Sequence, residues 1–202
     1  MKKILPIVSI LLLSAFSVAA QSYTSLAIGS SIPKAAVKTT TVSGGKVALN
    51  DVKTSKGLLV MFSCNTCPYV IKAQERTREM IQYATERGIG MIIINSNEAQ
   101  RGEDDSPEAM KAYSRDQGYK VPYVIDANSE IANAFGATRT PEVFLFDGNG
   151  KLVYKGAMED NPSKPAESKQ IFLRAAIDNM IKGQPIDPNS TKSVGCSIKR
   201  AS

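Results

Sequence analysis

One stretch decides the fold of this 202-residue chain: Met61-Phe62-Ser63-Cys64-Asn65-Thr66-Cys67-Pro68-Tyr69-Val70. Its two cysteines lie between an apolar run of strand length and a stretch with the apolar spacing of an amphipathic helix. A Cys-x-x-Cys pair at a strand-to-helix junction is typical of a redox-active dithiol. The unpaired N–H groups and the dipole of a helix's first turn stabilise a thiolate there. We therefore predict that this pair exchanges disulfides.

The two thiols can divide the reaction between them. Cys64 comes first and is predicted to be the outer, nucleophilic cysteine, whereas Cys67 is predicted to resolve the mixed disulfide. A rival register is visible, because Cys67-Pro68-Tyr69 resembles the start of a glutaredoxin motif with Val70 at the second cysteine position. A structural disulfide or two inert thiols is the remaining alternative.

The first twenty residues have the features of an export signal. Lys2 and Lys3 precede an apolar run over residues 4–18, and Ala19 and Ala20 supply small residues for cleavage before Gln21. A retained anchor is the alternative, although the run is short for a membrane span. We predict a signal peptide over 1–20, a periplasmic or secreted location, and no membrane span after cleavage.

Composition narrows the chemistry of the mature chain. Removal of Lys2 and Lys3 lowers the net charge from +6 to +4, and the basic residues do not form a stripe with aromatics, so we expect no nucleic-acid partner. The chain has no histidine, which excludes Cys-His hydrolases, Ser-His-Asp triads and histidine-containing zinc sites. We expect no metal and no cofactor.

The pattern of apolar runs and glycines predicts one α/β domain over residues 21–184. The predicted elements are a hairpin over 37–49, strands at 57–62, 89–94, 121–125 and 142–146, a closing strand at 152–155, and helices at 69–87, 106–117, 129–135 and 170–181. Alternating elements of this kind indicate a mixed sheet with helices on both faces. Residues 185–202 are predicted to be an irregular tail carrying Cys196.

Three further features bear on the site. Thr140 and Pro141 precede a predicted strand, where a cis-proline would face the cysteine pair and leave the backbone beside Thr140 free to pair with an extended substrate. Cys196 is either a leftover tail thiol or a third redox thiol that folds back and pairs with Cys64. The acidic residues Glu98, Glu103, Asp104 and Asp105 are predicted to form a solvated loop, not a metal site.

Taken together, four segments resemble the peroxiredoxin-like branch of the thioredoxin superfamily. They are Cys64 to Val70, Asp105-Ser106-Pro107-Glu108-Ala109-Met110, Arg139-Thr140-Pro141-Glu142-Val143-Phe144-Leu145-Phe146-Asp147 and Gly195-Cys196-Ser197-Ile198-Lys199. The resemblance implies a thioredoxin fold: a central mixed sheet flanked by helices, with an N-terminal β-hairpin and a peroxiredoxin-like insertion.

The chain also departs from that family. Thr66 stands where members often carry histidine between the cysteines, and Leu58 stands where thioredoxins keep a buried acid. Peroxiredoxins place a threonine three residues before the reactive cysteine, where Met61 stands relative to Cys64. Pro141 occupies the place of their peroxidatic arginine. The absence of that threonine and that arginine disfavours peroxide chemistry.

The sequence therefore predicts an exported thiol–disulfide oxidoreductase acting on protein thiols or disulfides together with a redox partner. The motif serves reductants and oxidants alike, so both directions of electron flow stay open. A thiol peroxidase of the peroxiredoxin type and a non-catalytic thioredoxin-fold binding module are the alternatives.

Overall fold

The computed structural model of the chain describes residues 23–201. The signal peptide expected over 1–20 lies outside the described residues. Within residues 23–201, the helices are too short or too polar to cross a bilayer.

A seven-stranded mixed sheet forms the centre of the fold, in the order β2-β1-β5-β4-β3-β7-β8. The strand β3 runs parallel to β4 and antiparallel to β7, and β4 runs parallel to β5. A separate two-stranded ribbon joins β6 to β9. The strands are β1 Thr39–Thr41, β2 Lys46–Val47, β3 Leu58–Ser63, β4 Gly90–Asn95, β5 Tyr123–Ile125, β6 Arg139–Thr140, β7 Glu142–Phe146, β8 Leu152–Gly156 and β9 Cys196–Ser197.

Within residues 23–201, six α-helices cover the two faces of this sheet. They are α1 Leu49–Val52, α2 Pro68–Lys72, α3 Gln74–Glu86, α4 Pro107–Asp116, α5 Glu130–Phe135 and α6 Phe172–Lys182. The predicted α/β architecture, with the hairpin β1–β2 at one edge and the hairpin β7–β8 at the other, is confirmed.

The central strand β3 explains why both faces need cover. Each of its residues is buried, so its side chains alternate between two hydrophobic cores. Leu59 and Met61 pack in the core that also holds the buried faces of α3 and α6. Val60 and Phe62 pack on the opposite face with α5, where Phe62 and Phe135 meet edge to face at 5.4 Å between ring centroids.

The helix after the cysteines differs from its predicted form. A single helix over 69–87 is expected, but the structure divides it at Ala73, whose backbone angles of φ −87° and ψ 4° separate α2 from α3. Neither proline nor glycine stands at this break, so the sequence carries no signal for it. The predicted inner face is confirmed, since its members are all buried: Val70, Ala73, Met80, Ile81 and Ala84.

The tail also differs from its predicted form. Instead of remaining irregular, it adds β9 antiparallel to β6, with Thr140 opposite Cys196 and Arg139 opposite Ser197. The chain thereby returns to the residue that precedes Pro141. No apolar periodicity marks this two-residue strand. Its pairing depends on Thr140, which lies far from Cys196 in the sequence.

Candidate active site

The cysteine pair lies where the central strand passes into the helix. Cys64 directly follows β3, and Cys67 is the residue that precedes the first residue of α2, Pro68. The helix start is favoured by this proline, whose fixed φ suits the first helical position. The sequence expectation of a sulfur at the helix N-terminus is therefore met by Cys67.

The tail cysteine does return to the site, but its partner differs from the predicted one. Cys196 is disulfide-bonded to Cys67, with 6.0 Å between their Cα atoms, and Cys64 is a free thiol. The expected Cys64–Cys196 pairing is thus wrong for this structure. The physical reason is the register of β9, which sets Cys196 opposite Thr140 on the side of the site where Cys67 lies.

Both motif cysteines are buried, with Cys64 2% exposed and Cys67 5% exposed. The Sγ of Cys64 lies 3.3 Å from the hydroxyl oxygen of Thr140. Burial raises the pKa of the Cys64 thiol, and the negative charge of Asp105 adds to this, while hydrogen bonds from Thr140 and from the backbone of Cys67 and Thr66 act in the opposite direction. The prediction that Cys64 is the outer, nucleophilic cysteine stays a prediction, because both cysteines are buried.

Thr140 contacts both halves of the dithiol. The Thr140–Pro141 peptide bond is cis, as predicted. The Thr140 hydroxyl meets Cys64, and its carbonyl oxygen lies 3.4 Å from the Sγ of Cys67. The edge that the sequence predicts for an extended substrate is occupied by the tail of the same chain.

A buried polar network holds the loop between the cysteines. The carboxylate of Asp105 is fully buried and accepts hydrogen bonds from the backbone N–H of Asn65 at 3.0 Å and from the side-chain amides of Asn95 at 2.6 Å and Asn97 at 2.8 Å. The hydroxyl of Tyr123 donates to Asn65 Oδ1 at 2.9 Å. These bonds fix the backbone next to Cys64.

This network corrects one prediction. The acidic loop is solvated at Glu103 and Asp104, but Asp105 is 0% exposed and belongs to the site. One sequence feature points to such a role: Asn95 ends the buried run of β4, and the carboxyl ends of neighbouring parallel strands meet at one sheet edge. The partners of Asp105 on other elements could not be read from spacing alone.

The redoxin family profile matches residues 27–171, which include the central sheet and both motif cysteines. The chain belongs to the redoxin family. The resemblance to the peroxiredoxin-like branch and the thioredoxin fold are thereby confirmed, and the tail that carries Cys196 lies beyond the matched residues of this redoxin.

Relatives of this redoxin point to one enzyme class. The thiol–disulfide oxidoreductase ResA of Bacillus thuringiensis is 29% identical over 126 residues, which are 62% of this chain and 67% of that protein. The prediction that this redoxin is an oxidoreductase is confirmed at the level of enzyme class.

Two solved structures extend the likeness over most of the chain. An uncharacterized conserved protein from Geobacillus kaustophilus is 33% identical with a TM-score of 0.80, covering 92% of this redoxin and 98% of its own chain. A hypothetical protein from Sinorhizobium meliloti is 31% identical with a TM-score of 0.79, covering 91% and 100%. Both structures therefore share the fold of this redoxin over nearly all of its length.

Proposed function

We propose that this redoxin is an exported thiol–disulfide oxidoreductase that exchanges disulfides with protein substrates through Cys64 and Cys67. In this proposal residues 1–20 direct export, residues 21–184 form the catalytic domain, and residues 185–202 carry Cys196 to the site. Substrates pair with the backbone of Thr140, next to Pro141.

One observation carries the proposal: three sulfurs meet at Thr140, in two redox states. Cys67 and Cys196 share a disulfide, while Cys64 Sγ lies against the Thr140 hydroxyl as a thiol. A disulfide with a third thiol in the same cluster is the arrangement that thiol–disulfide exchange requires. The names of the curated relatives support the same chemistry.

The contacts favour an order of roles opposite to the predicted one. Cys67 stands at the helix start and already holds a sulfur from a strand paired with Thr140, which is the geometry of a mixed disulfide with an extended partner. Cys64 is a free thiol that lies against the Thr140 hydroxyl and directly precedes Asn65 of the polar network. We therefore assign the mixed disulfide to Cys67 and its resolution to Cys64.

The reaction balances without any cofactor. The Cys67 thiolate attacks one sulfur of a substrate disulfide, forming a mixed disulfide and releasing the other substrate sulfur as a thiolate. The Cys64 thiolate then attacks Cys67 Sγ, which forms the Cys64–Cys67 disulfide and releases the substrate as a dithiol. The same steps in reverse oxidise a substrate dithiol.

Export is supported by the N-terminal sequence. Lys2 and Lys3 followed by the apolar run and by Ala19 and Ala20 fit a cleaved signal. In the oxidising environment outside the cytoplasm, an internal disulfide such as Cys67–Cys196 persists.

Trapping of mixed disulfides tests the proposal and its order of roles. Two variants, each with Cys196→Ser, keep a single motif cysteine: one carries Cys64→Ser and the other Cys67→Ser. Both are expressed with the native N-terminus, and the extracytoplasmic fraction is separated on non-reducing gels. We expect the variant that keeps Cys67 to accumulate mixed disulfides with exported proteins, because no thiol remains to resolve them.

The control is the variant in which all three cysteines are serine, which should form none. Adducts confined to the variant that keeps Cys64 would restore the originally predicted order of roles. Absence of adducts from both variants would contradict disulfide exchange with proteins, and recovery of the protein only from the cytoplasm would contradict export.

A further inference from the structure

The tail crosses the substrate edge as a strap, which we define as residues 192–198. Within it, Cys196 lies opposite Thr140 in an antiparallel pair and is bonded to Cys67. Next along the same ladder, the N–H of Ile198 donates to the carbonyl oxygen of Thr138 at 3.1 Å. The strap therefore makes the backbone contacts that β-strand addition would give an extended substrate.

The residue before the strap cysteine has no room for a side chain. A Cβ built on Gly195 would overlap the carbonyl oxygen of Thr140, and its next neighbours are the carbonyl carbon of Thr140 and the nitrogen of Pro141. All three are backbone atoms, which cannot turn aside as a flexible side chain can. The edge thus admits a glycine directly before the cysteine and disfavours larger residues there.

Apolar residues flank this glycine and cysteine on the strap. Val194 is 37% exposed and lines a small depression together with Ala73, Pro141 and Met158. On the other side of the cysteine, Ile198 is 5% exposed and joins the core that contains Phe62. Alternate residues of the strap, Val194, Cys196 and Ile198, therefore contact the protein.

The strap is anchored at both ends, so that only a short segment covers the site. Before it, the Thr191 hydroxyl accepts a hydrogen bond from the N–H of Ala157 at 2.9 Å. After it, the N–H of Lys199 donates to Asn97 Oδ1 at 2.9 Å, and Arg200 donates to Asn133 Oδ1 at 2.8 Å. Exposure of the edge at Thr140 requires residues 192–198 to lift, not the whole tail to unfold.

We propose that the strap is an intramolecular substrate, and that the protein substrates of this redoxin present a cysteine in the same form: extended, preceded by glycine, with apolar residues two positions before and after it. This inference rests on the proposed function, because it specifies what the proposed exchange site recognises. It makes Cys196 a competitor for the site that incoming substrates must displace.

Displacement of the strap needs no external oxidant. The sulfur of Cys64 attacks Cys67 Sγ, so that the Cys64–Cys67 bond forms and the Cys67–Cys196 bond breaks. Cys196 leaves with the electron pair, and the proton that Cys64 gives up is balanced by the one that Cys196 takes. The protein stays oxidised by one disulfide, and the edge at Thr140 becomes free for a substrate strand.

Peptide disulfides test the recognition. The protein carries Cys64→Ser and Cys196→Ser, so that Cys67 is its only cysteine. One probe is the symmetric disulfide of the peptide that copies residues 192–199, Lys-Ser-Val-Gly-Cys-Ser-Ile-Lys; the second probe has valine in place of its glycine. We expect the glycine peptide to form the mixed disulfide at least about tenfold faster, as measured by mass spectrometry of quenched samples.

A strap variant tests the competition. Adding Gly195→Ala to the same protein should push the strap off the edge and raise the rate with the glycine peptide about threefold or more. Ser197→Ala is the matched control, because Ser197 is exposed on the same strap and its change should leave the rate unchanged. If Gly195→Ala leaves this rate unchanged or lowers it, the claim that the strap competes with substrates is wrong.

Hydroxyethyl disulfide, a small probe without a peptide backbone, separates the two levels of the proposal. If it reacts with Cys67 while the glycine and valine peptides react at equal rates, the intramolecular-substrate inference is wrong and the proposed exchange chemistry stands. If neither it nor the peptides react with Cys67, the proposed function itself fails.

Discussion

A variant that keeps Cys67 as its only cysteine is expected to react with dithiobis(nitrobenzoate) about 10²-fold faster at neutral pH than a variant that keeps only Cys64. The thiolate is the attacking species, and burial raises the pKa of the Cys64 thiol, so that little of it is ionised. Cys67 directly precedes the first turn of α2, where the helix dipole stabilises a thiolate. The absorbance of the released nitrothiobenzoate measures both rates.

The same reagent provides the control for this comparison. In denaturant the two variants should react at similar rates, because the surroundings that distinguish the thiols are lost. Equal rates in the native proteins, or a faster Cys64, would show that the nucleophilic role assigned to Cys67 is wrong.

Replacement of Asp105 is expected to give the largest loss of stability. Asp105→Ala leaves three buried donors, on Asn65, Asn95 and Asn97, without their acceptor. Buried donors without partners are costly, and we expect the free energy of unfolding to fall by about 3–5 kcal/mol. Urea denaturation followed by circular dichroism measures this change. Asp104→Ala is the matched control, because Asp104 precedes Asp105 in the sequence and its side chain is exposed. This substitution should change the free energy of unfolding by less than about 0.5 kcal/mol.

The milder change Asp105→Asn tests the electrostatic role of the same carboxylate. Burial is the main cause of the raised pKa of Cys64, and the negative charge of Asp105 adds to it. Removal of that charge makes the thiolate easier to form, so the pKa of Cys64 should fall. The pH profile of Cys64 alkylation in the unreduced protein should then move to lower pH, and an unmoved or raised profile would contradict this role.

The sequence predicts the fold well because the fold depends on local patterns. The apolar runs that become β3 and β4, and the glycines that end the helices, specify elements without knowledge of their partners. The Cys-x-x-Cys pair at the end of β3 specifies the location of the site in the same way. These features also relate the chain to the redoxin family, which the family profile confirms.

The details of the site could not be predicted because they depend on contacts between distant segments. Cys67 and Cys196 are 129 residues apart, and their bond follows from the register of β9 against β6. Asp105 looks like the exposed acids beside it, and only the asparagines brought to it by β4 and by the cysteine loop make it a buried acceptor. Neither the Cys67–Cys196 bond nor the burial of Asp105 can be inferred from composition and residue spacing.

The pairing of Cys67 with Cys196 is the central claim, and disulfide mapping tests it most directly. The unreduced, purified protein is alkylated in denaturant and digested with trypsin, which yields residues 57–72 with both motif cysteines and residues 193–199 with Cys196. We expect these two peptides to be linked and the single alkyl group to lie on Cys64. Recovery of residues 193–199 as a free peptide alkylated on Cys196, with a Cys64–Cys67 disulfide inside residues 57–72, would contradict it.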